Sequence, residues 1–279
     1  MALSISSLNS GSNANCYYIG TESDAILVDA GLSCRETVKR MERAGLSISS
    51  IRAIFVSHEH SDHISGVPGL AKKFQLPVYF STATYRSCNL PIQSELVRYF
   101  TPDEMISVGS LQVKPFPKLH DAIDPHSFMV YGDSVSVGVF TDIGSPCSYV
   151  RQHFSECNAV FLESNYCEQM LANGNYPPHL KKRISGNKGH LSNTQALELF
   201  LSHRGPALSH LLLSHLSKNN NRPELVDDLF RPHANGTLIH VASRYKESPV
   251  YTLDGNFTKT ELPAPARAVR VSNVQLRLF

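Results

Sequence analysis

Three imidazoles and one carboxylate lie within the short segment from residue 58 to residue 63, as His58, His60, Asp62 and His63. Imidazole nitrogens suit zinc, iron or manganese, and a neighbouring carboxylate lets two ions bind close together. The chain has 13 histidines, yet chance would rarely place three of them and an aspartate at this spacing. The segment therefore predicts a metal site rather than an incidental histidine-rich loop.

Further ligand-type residues follow apolar runs that predict buried strands. The run 53–56 leads into the His-rich segment, and other apolar runs lead to His120, Asp142, Glu163 and His215. Strand ends that converge on one edge of a sheet are a usual place for a site in an α/β protein. These residues are therefore expected to meet the 58–63 segment in space.

The rest of the pattern predicts an α/β fold with mixed sheets. Capping-box spacings, Ser33 with Glu36 and Ser192 with Gln195, predict the starts of two helices. Gly132-Asp133 between two apolar runs predicts a hairpin. Strands alternate with helices elsewhere, and no linker-like change of composition divides the chain. We expect one domain over residues 1–279.

Composition excludes several classes of protein. Hydrophobic residues make up 42% of the 279 residues, which is enough for a large core and excludes a disordered chain. No apolar run is long enough for a membrane helix, and residues 1–20 lack a secretory signal pattern. The six cysteines are sparse and form no Cys-x-x-Cys pair, so free thiols in the cytoplasm are expected. The net charge of +2 implies that any nucleic-acid site is a local patch.

With these motifs in order, the chain resembles the metallo-β-lactamase fold, whose first signature residue would be Asp29 in Ile26–Gly31. Several segments resemble its YycJ/WalJ-like branch in particular. These segments are residues 7–15, 120–125, 162–165, 189–193 and 215–221. The resemblance implies a four-layer αβ/βα sandwich of two mixed sheets flanked by helices. It also implies double-stranded DNA 5′→3′ exonuclease activity and a place in mismatch repair.

The resemblance also implies the roles of the site residues. The first metal ion would be held by His58, His60 and His120, and the second by Asp62, His63 and His215, with Asp142 bridging. Two cations about 3.5–4 Å apart can clamp both oxygens of a phosphoryl displacement. Asp62 would orient the attacking hydroxide. Asp29 and Glu163 would be structural residues near the site, and Asp29 would organise the nearby loops rather than bind metal.

Departures from the branch pattern concern residues beside the ligands. Tyr166 and Cys167 replace the usual His-Asp pair after Glu163-Ser164-Asn165, Ala14 replaces a glycine, and Ser127 replaces another. No predicted metal ligand is changed. The departures put the detailed substrate contacts, rather than the metal chemistry, in question.

Other residues have a functional and a structural interpretation. His190 could be a phosphate contact or a proton donor to the leaving oxygen, or else a capping histidine. Loop residues that could touch substrate or simply form turns are Ser12, Asn15, Asn193, Asn220 and Asn221. The cations Lys181, Lys182 and Arg183 follow a loop-like stretch and could contact nucleic acid or face solvent.

We therefore predict a metal-dependent phosphodiester hydrolase that uses two divalent ions (Zn, Mn or Fe) and acts on DNA. A small-molecule or cyclic-nucleotide phosphodiesterase and an RNA-processing nuclease of the same fold are the alternatives. The segment 143–214 is too short for the extra domain of the larger RNA-cleaving members. An oxygen-reducing di-iron enzyme would need a flavin or partner domain for which no motif is present.

Overall fold

Two seven-stranded sheets form the centre of the protein in the computed structural model, which describes residues 2–253 and residue 255. The strands of the first sheet are β1 (Leu3–Asn9), β2 (Cys16–Gly20), β3 (Ala25–Val28), β4 (Ile51–Phe55), β5 (Val78–Phe80), β6 (Val97–Tyr99) and β14 (Tyr251–Leu253). The strands of the second sheet are β7 (Ile106–Val108), β8 (Leu111–Pro117), β9 (His126–Gly132), β10 (Val135–Phe140), β11 (Ala159–Glu163), β12 (His210–Ser214) and β13 (Leu238–Val241).

Helices occupy the connections between the strands. In the described residues these are α1 (Cys34–Arg43), α2 (Ser61–Ile64), α3 (Val67–Phe74), α4 (Thr82–Cys88), α5 (Ser148–Ser155), α6 (Glu168–Asn173), α7 (Pro178–Ile184), α8 (Asn193–His203) and α9 (Pro223–Phe230). Short 3-10 turns lie at Ile48–Ser50, Ser94–Leu96 and Arg231–His233. In the described part of the chain, no helix has the length and apolar character that a bilayer crossing requires.

The two sheets are built alike. The first has the strand order β14-β1-β2-β3-β4-β5-β6, and its pairs are antiparallel up to β3 and parallel beyond it. The second has the order β13-β12-β11-β10-β9-β8-β7, antiparallel from β7 to β10 and parallel from β10 to β13. The parallel strands of both sheets therefore direct several carboxyl ends towards loops that can form a site.

Three apolar clusters separate four layers. The central cluster joins both sheets, as in the edge-to-face contact of Phe55 with Phe128 at 5.6 Å between ring centroids. A second cluster packs α1 and α3 on the outer face of the first sheet, and a third packs α5, α8 and α9 on the second. The predicted αβ/βα sandwich of two mixed sheets is confirmed.

Local sequence signals explain most elements. Ser192 caps α8 and forms a reciprocal capping box with Gln195, and Ser33 caps α1. Val135 pairs with Gly132 across the predicted hairpin. The sequence predicts a loop that leads into cations over residues 173–183, whereas Pro178–Ile184 is the helix α7. Pro178 occupies its first turn, where a missing backbone N–H costs nothing.

Gly31 packs two loops of the sandwich against each other. Its N–H donates to Asn15 O at 2.9 Å, and a Cβ at this position would lie 1.8 Å from Asp62 O. The loops after β1, β3 and β4 therefore approach too closely at Gly31 for any side chain.

We predict that Gly31→Ala lowers the free energy of unfolding by about 3 kcal/mol, because the backbone of Asp62 must move to admit the methyl group. Denaturant unfolding measures the loss. Gly69→Ala is the matched control, since its Cβ would meet only the Cys34 side chain at 3.1 Å. Equal stability of Gly31→Ala and wild type would contradict this packing.

Candidate metal centre

The seven predicted ligands converge at one edge of the sandwich. Within each of three groups, one potential ligand atom per residue lies within 4.8 Å of the others. The groups are His58, His60 and His120; Asp62, His63 and His215; and His58, His63 and Asp142. A fourth group joins Asp142 and His215 to Glu163 and His190. Residues far apart in sequence thus form one continuous set of nitrogen and oxygen donors.

Sharp backbone turns occur at two residues of these groups and at the neighbouring Asp29. Asp29, Asp142 and His215 each follow the end of a strand and have left-handed backbone angles, with φ of 60°, 54° and 57°. Non-glycine residues adopt this conformation at a cost that surrounding contacts must offset, and such positions concentrate at functional sites. All three side chains are almost fully buried.

The Asp29 carboxylate orients two imidazoles. Its Oδ1 accepts the N–H of Ser57 at 2.8 Å, while its Oδ2 lies 2.7 Å from His63 Nδ1 and accepts Ser57 Oγ–H at 2.8 Å. Because Ser57 Oγ donates to Asp29, it accepts from His58 Nδ1 at 2.9 Å. In the neutral form of each ring, the proton therefore lies on Nδ1 and the lone pair on Nε2, the tautomer that a metal ion requires.

Glu163 has the corresponding position in the second sheet. Its Oε1 lies 2.9 Å from His215 Nδ1 and 2.8 Å from His190 Nδ1. Its Oε2 accepts the backbone N–H groups of Ile143 and Leu191. The fully buried carboxylate is thus satisfied by four neighbours and fixes the orientation of both imidazoles.

Several buried atoms of the cluster lack hydrogen-bond partners among the described residues. They are His120 Nε2, His215 Nε2 and Asp142 Oδ2, the last of which lies 3.2 Å from His63 Nε2. The Nδ1 of His120 lies 2.9 Å from Gly189 O, so its Nε2 is again the free lone pair. Buried polar atoms without hydrogen bonds are costly, whereas divalent cations would satisfy them. The donor set therefore fits divalent metal ions.

The buried histidines of the cluster have pKa values that are shifted in opposite directions. Burial opposes charge on His63 and His215, but Asp142 and its neighbouring carboxylates raise the pKa of His63 well above its ordinary value and that of His215 to about 10. Burial instead lowers the pKa of His120 to about 4 and that of His58 well below its ordinary value. The carboxylates around His63 and His215 thus attract positive charge strongly. His58 and His120 stay neutral and are available as ligands.

Asn15 lies inside the cluster rather than at its rim. Its fully buried amide reaches Asp62 Oδ2 and His63 Nε2, each at 3.1 Å, and its Oδ1 accepts from Tyr17 and Gly11. These contacts position the Asp62 side chain, which is 19% exposed.

Two other predicted substrate contacts form a buried network. Asn193 and Asn221 bond each other through their side chains, at 3.0 Å and 2.8 Å. Asn221 also donates to Ser164 O at 2.9 Å. Asn220 is buried as well, whereas Ser12 is exposed with its Oγ 3.5 Å from Arg244 Nη2. The asparagines join the loops after β11 and β12.

Tyr166 and Cys167, which stand where the branch pattern has His-Asp, take part in the same network through their backbone atoms. Tyr166 O accepts the N–H of Asn193 at 2.8 Å, and Cys167 N–H donates to Asn220 O at 2.8 Å. These two contacts are made by backbone atoms, so they do not require particular side chains at positions 166 and 167.

The cationic run on α7 is partly engaged within the protein. Lys181 Nζ donates to Ala172 O at 2.6 Å, and Arg183 pairs with the carboxylate of Asp121, next to His120. Lys182 is exposed. The run therefore offers fewer free charges than its sequence indicates.

Two residues of the centre were missed in the sequence. Ser57 Oγ lies between the Asp29 carboxylate and His58 Nδ1 and bonds to both. Lys118 is buried, and its Nζ donates to Thr141 O at 2.7 Å. Burial lowers the pKa of Lys118, although Asp142 and the other carboxylates oppose this. A lone lysine at the end of an apolar strand was the available signal for the second residue.

Comparison with known proteins agrees with this geometry. Residues 10–141 match the Metallo-beta-lactamase superfamily. The chain is 34% identical over 230 residues to Exodeoxyribonuclease YycJ of Bacillus anthracis, an alignment that covers 81% of this chain and 86% of that protein. The chain belongs to the metallo-β-lactamase superfamily. Within it, the chain groups with YycJ and with Exodeoxyribonuclease WalJ of Streptococcus pneumoniae serotype 2, to which it is 31% identical over 78% of this chain and 83% of the relative.

Solved structures of the superfamily share the fold. The metallo-β-lactamase fold protein YhfI from Bacillus subtilis superimposes with a TM-score of 0.68 at 17% identity, covering 90% of this chain and all of that one. Zn²⁺-bound PqqB from Methylobacterium extorquens superimposes with a TM-score of 0.67 at 14% identity, covering 90% and 99%. These similarities confirm the predicted architecture.

We predict that Asp29→Asn lowers metal affinity about 10- to 100-fold, since an amide cannot accept from Ser57 and His63 as the carboxylate does. Competition with a chromogenic chelator measures the affinity. Asp103→Asn, at an exposed left-handed position, is the control. Wild-type affinity in Asp29→Asn would show that the orientation of His58 and His63 does not depend on this carboxylate.

Proposed function

We propose that this chain is an exodeoxyribonuclease that uses two divalent metal ions to hydrolyse phosphodiester bonds of DNA. The observation that carries the proposal is the convergence of seven imidazole and carboxylate side chains, several with unpartnered buried atoms, in a chain of the YycJ and WalJ branch. A 5′→3′ direction, a role in DNA repair and a cytoplasmic location belong to the same proposal, as does one domain over residues 1–279, which extends beyond the described residues.

The two ions would divide the donors as the sequence predicted. We assign His58, His60 and His120 to one ion, Asp62, His63 and His215 to the other, and Asp142 to both. Imidazole and carboxylate donors accept Zn, Mn or Fe. Bound cations of this kind lower the pKa of water and stabilise negative charge on phosphoryl oxygens.

Two residues of the chain would orient the attacking water and supply a proton to the leaving oxygen. We assign Asp62 to orient the attacking water, because Asn15 holds its carboxylate and its side chain is partly exposed. We assign His190 to protonate the leaving oxygen. Glu163 holds its Nδ1 and leaves Nε2 for proton transfer, and 20% of the side chain is exposed.

Substrate contacts are proposed for exposed and half-buried groups around this centre. Ser12 and the α7 cations Lys181, Lys182 and Arg183 are candidates for contacts with the DNA backbone. For the buried residues Asn15, Asn193, Asn220 and Asn221, the contacts favour a positioning role, in which they set the loops that the substrate meets.

The function is tested with metal-reconstituted protein on duplex DNA, single-stranded DNA and RNA labelled at either end. Progressive release of nucleotides from a DNA end, with little release from RNA, is the expected result. Hydrolysis of a small phosphodiester without any cleavage of DNA would overturn the proposal in favour of a small-molecule phosphodiesterase. Preferential cleavage of RNA would favour the RNA-processing alternative.

We predict that His190→Ala keeps its metal but loses about 10²- to 10⁴-fold in kcat, the range for a positioned acid or base. Elemental analysis and DNA hydrolysis are measured on the same preparation. His179→Ala, an exposed histidine on α7, is the control and should match wild type. If metal content falls together with the rate, His190 is a ligand instead.

For the triple variant Lys181→Ala, Lys182→Ala and Arg183→Ala, we predict a flatter salt dependence of DNA binding. Each phosphate neutralised contributes about −0.9 to the slope of log K against log salt. Because Lys181 and Arg183 already have partners, the slope should change by about 1 rather than by about 3. Replacing Lys39, Lys72 and Lys73 instead gives a control with the same net charge. An unchanged slope would show that the run only faces solvent.

A further inference from the structure

A cavity of about 470 Å³ is lined by residues that adjoin His215 of the candidate metal centre, in the sequence or through a hydrogen bond. Leu216 and Ser217, the two residues after His215, form part of its wall. Ser10 also lines it and accepts the N–H of His215 through Oγ at 2.7 Å. The wall of the cavity is therefore connected directly to a predicted metal ligand.

The cavity has an excess of positive charge. Lys218, Arg244 and Lys246 line it, against the single carboxylate of Glu224. Both lysines are exposed, and within the described residues neither has a carboxylate partner in an ion pair. Because the whole chain carries a net charge of only +2, these cations form a local site for an anion.

An exposed aromatic ring stands between two of these cations in the sequence. The side chain of Tyr245 is 73% exposed, the highest value among the large hydrophobic residues in the described chain. A tyrosine ring so open to water buries little apolar surface in the folded protein, so packing does not account for it. Cations interleaved with an exposed aromatic ring are typical of surfaces on which nucleic-acid bases stack.

The backbone beneath this ring is held firmly. Tyr245 O accepts from Arg40 Nη2 at 3.1 Å, and Tyr245 N–H donates to Ser243 Oγ at 3.1 Å. Arg40 is itself buried, with its Nη1 bonded to Leu8 O and to Asn9 Oδ1. The ring is therefore presented from a fixed backbone, which lowers the entropy cost of binding a ligand.

We propose that this cavity is a subsite for an unpaired nucleotide of the DNA strand being cut. The Tyr245 ring stacks on its base, and Lys218 and Lys246 contact the adjoining phosphates, while Arg244, whose Nη2 donates to Leu216 O at 2.6 Å, adds its charge to the wall of the cavity. This inference rests on the proposed exodeoxyribonuclease function. It deepens that function, because neighbouring pairs cover both faces of a base inside a duplex, so that only an end or an unpaired nucleotide leaves a face open for stacking. The unpaired nucleotide can come from a single strand or from the frayed end of a duplex.

The first test compares Tyr245→Ala with Tyr245→Phe in binding to a phosphorothioate single strand that resists hydrolysis. We expect Tyr245→Ala to weaken binding about ten-fold, in the range for one stacked base, and Tyr245→Phe to bind like wild type. Hydrolysis of methyl p-nitrophenyl phosphate should be unchanged in both variants. Equal binding by wild type and both variants would overturn the subsite.

The second test moves an abasic nucleotide along the strand. At one position, wild type should lose about ten-fold in affinity, and Tyr245→Ala should lose nothing further. If the abasic penalty is the same in both proteins at every position, Tyr245 stacks on no base and the inference is wrong.

The third test separates backbone contact from stacking. The double variant Lys218→Ala and Lys246→Ala should flatten the salt dependence of single-strand binding by about 1.4, and of duplex binding less. Equal flattening on both would indicate a duplex-backbone contact and would overturn the preference for an unpaired strand. These binding results are independent of turnover. A protein that binds strands through Tyr245 without cutting them would refute the proposed nuclease while keeping the subsite.

Discussion

The carboxylate of Asp29 sets the geometry of two imidazoles on the first sheet. It lies at the end of β3 in a left-handed conformation, fully buried, and is bonded to Ser57 and His63. Burial of a carboxylate is costly unless its oxygens are satisfied, and here the groups that satisfy it are also the ones that it orients. Gly31, two residues after Asp29, packs closely against the backbone of Asp62. This contact holds the loop after β4 next to the Asp29 carboxylate.

Glu163 provides the corresponding constraint on the second sheet. It follows the same principle, in which a buried carboxylate at a strand end accepts backbone N–H groups with one oxygen and contacts imidazoles with the other. Asp142 lies close to His63, which Asp29 orients, and to His215, which Glu163 orients. The candidate metal centre thus depends on the packing of the two sheets, because each supplies its own oriented half.

The sequence predicted the parts of this arrangement that are local. His58 to His63 is one short segment, and strand ends could be recognised from apolar runs. Contacts between distant segments could not be predicted, since nothing near Asn15 in the sequence indicates that its amide reaches Asp62. The same holds for α7, where Pro178 resembled a loop signal but begins a helix, and for Arg183, whose partner Asp121 lies far away in the chain.

Anomalous diffraction from crystals of the metal-loaded protein tests the central claim most directly. The account predicts two peaks about 3.5–4 Å apart. One should lie about 2.0–2.1 Å from ring nitrogens of His58, His60 and His120, and the other at the same distance from His63 and His215. A single peak, or peaks away from these side chains, would contradict a centre built from two oriented halves.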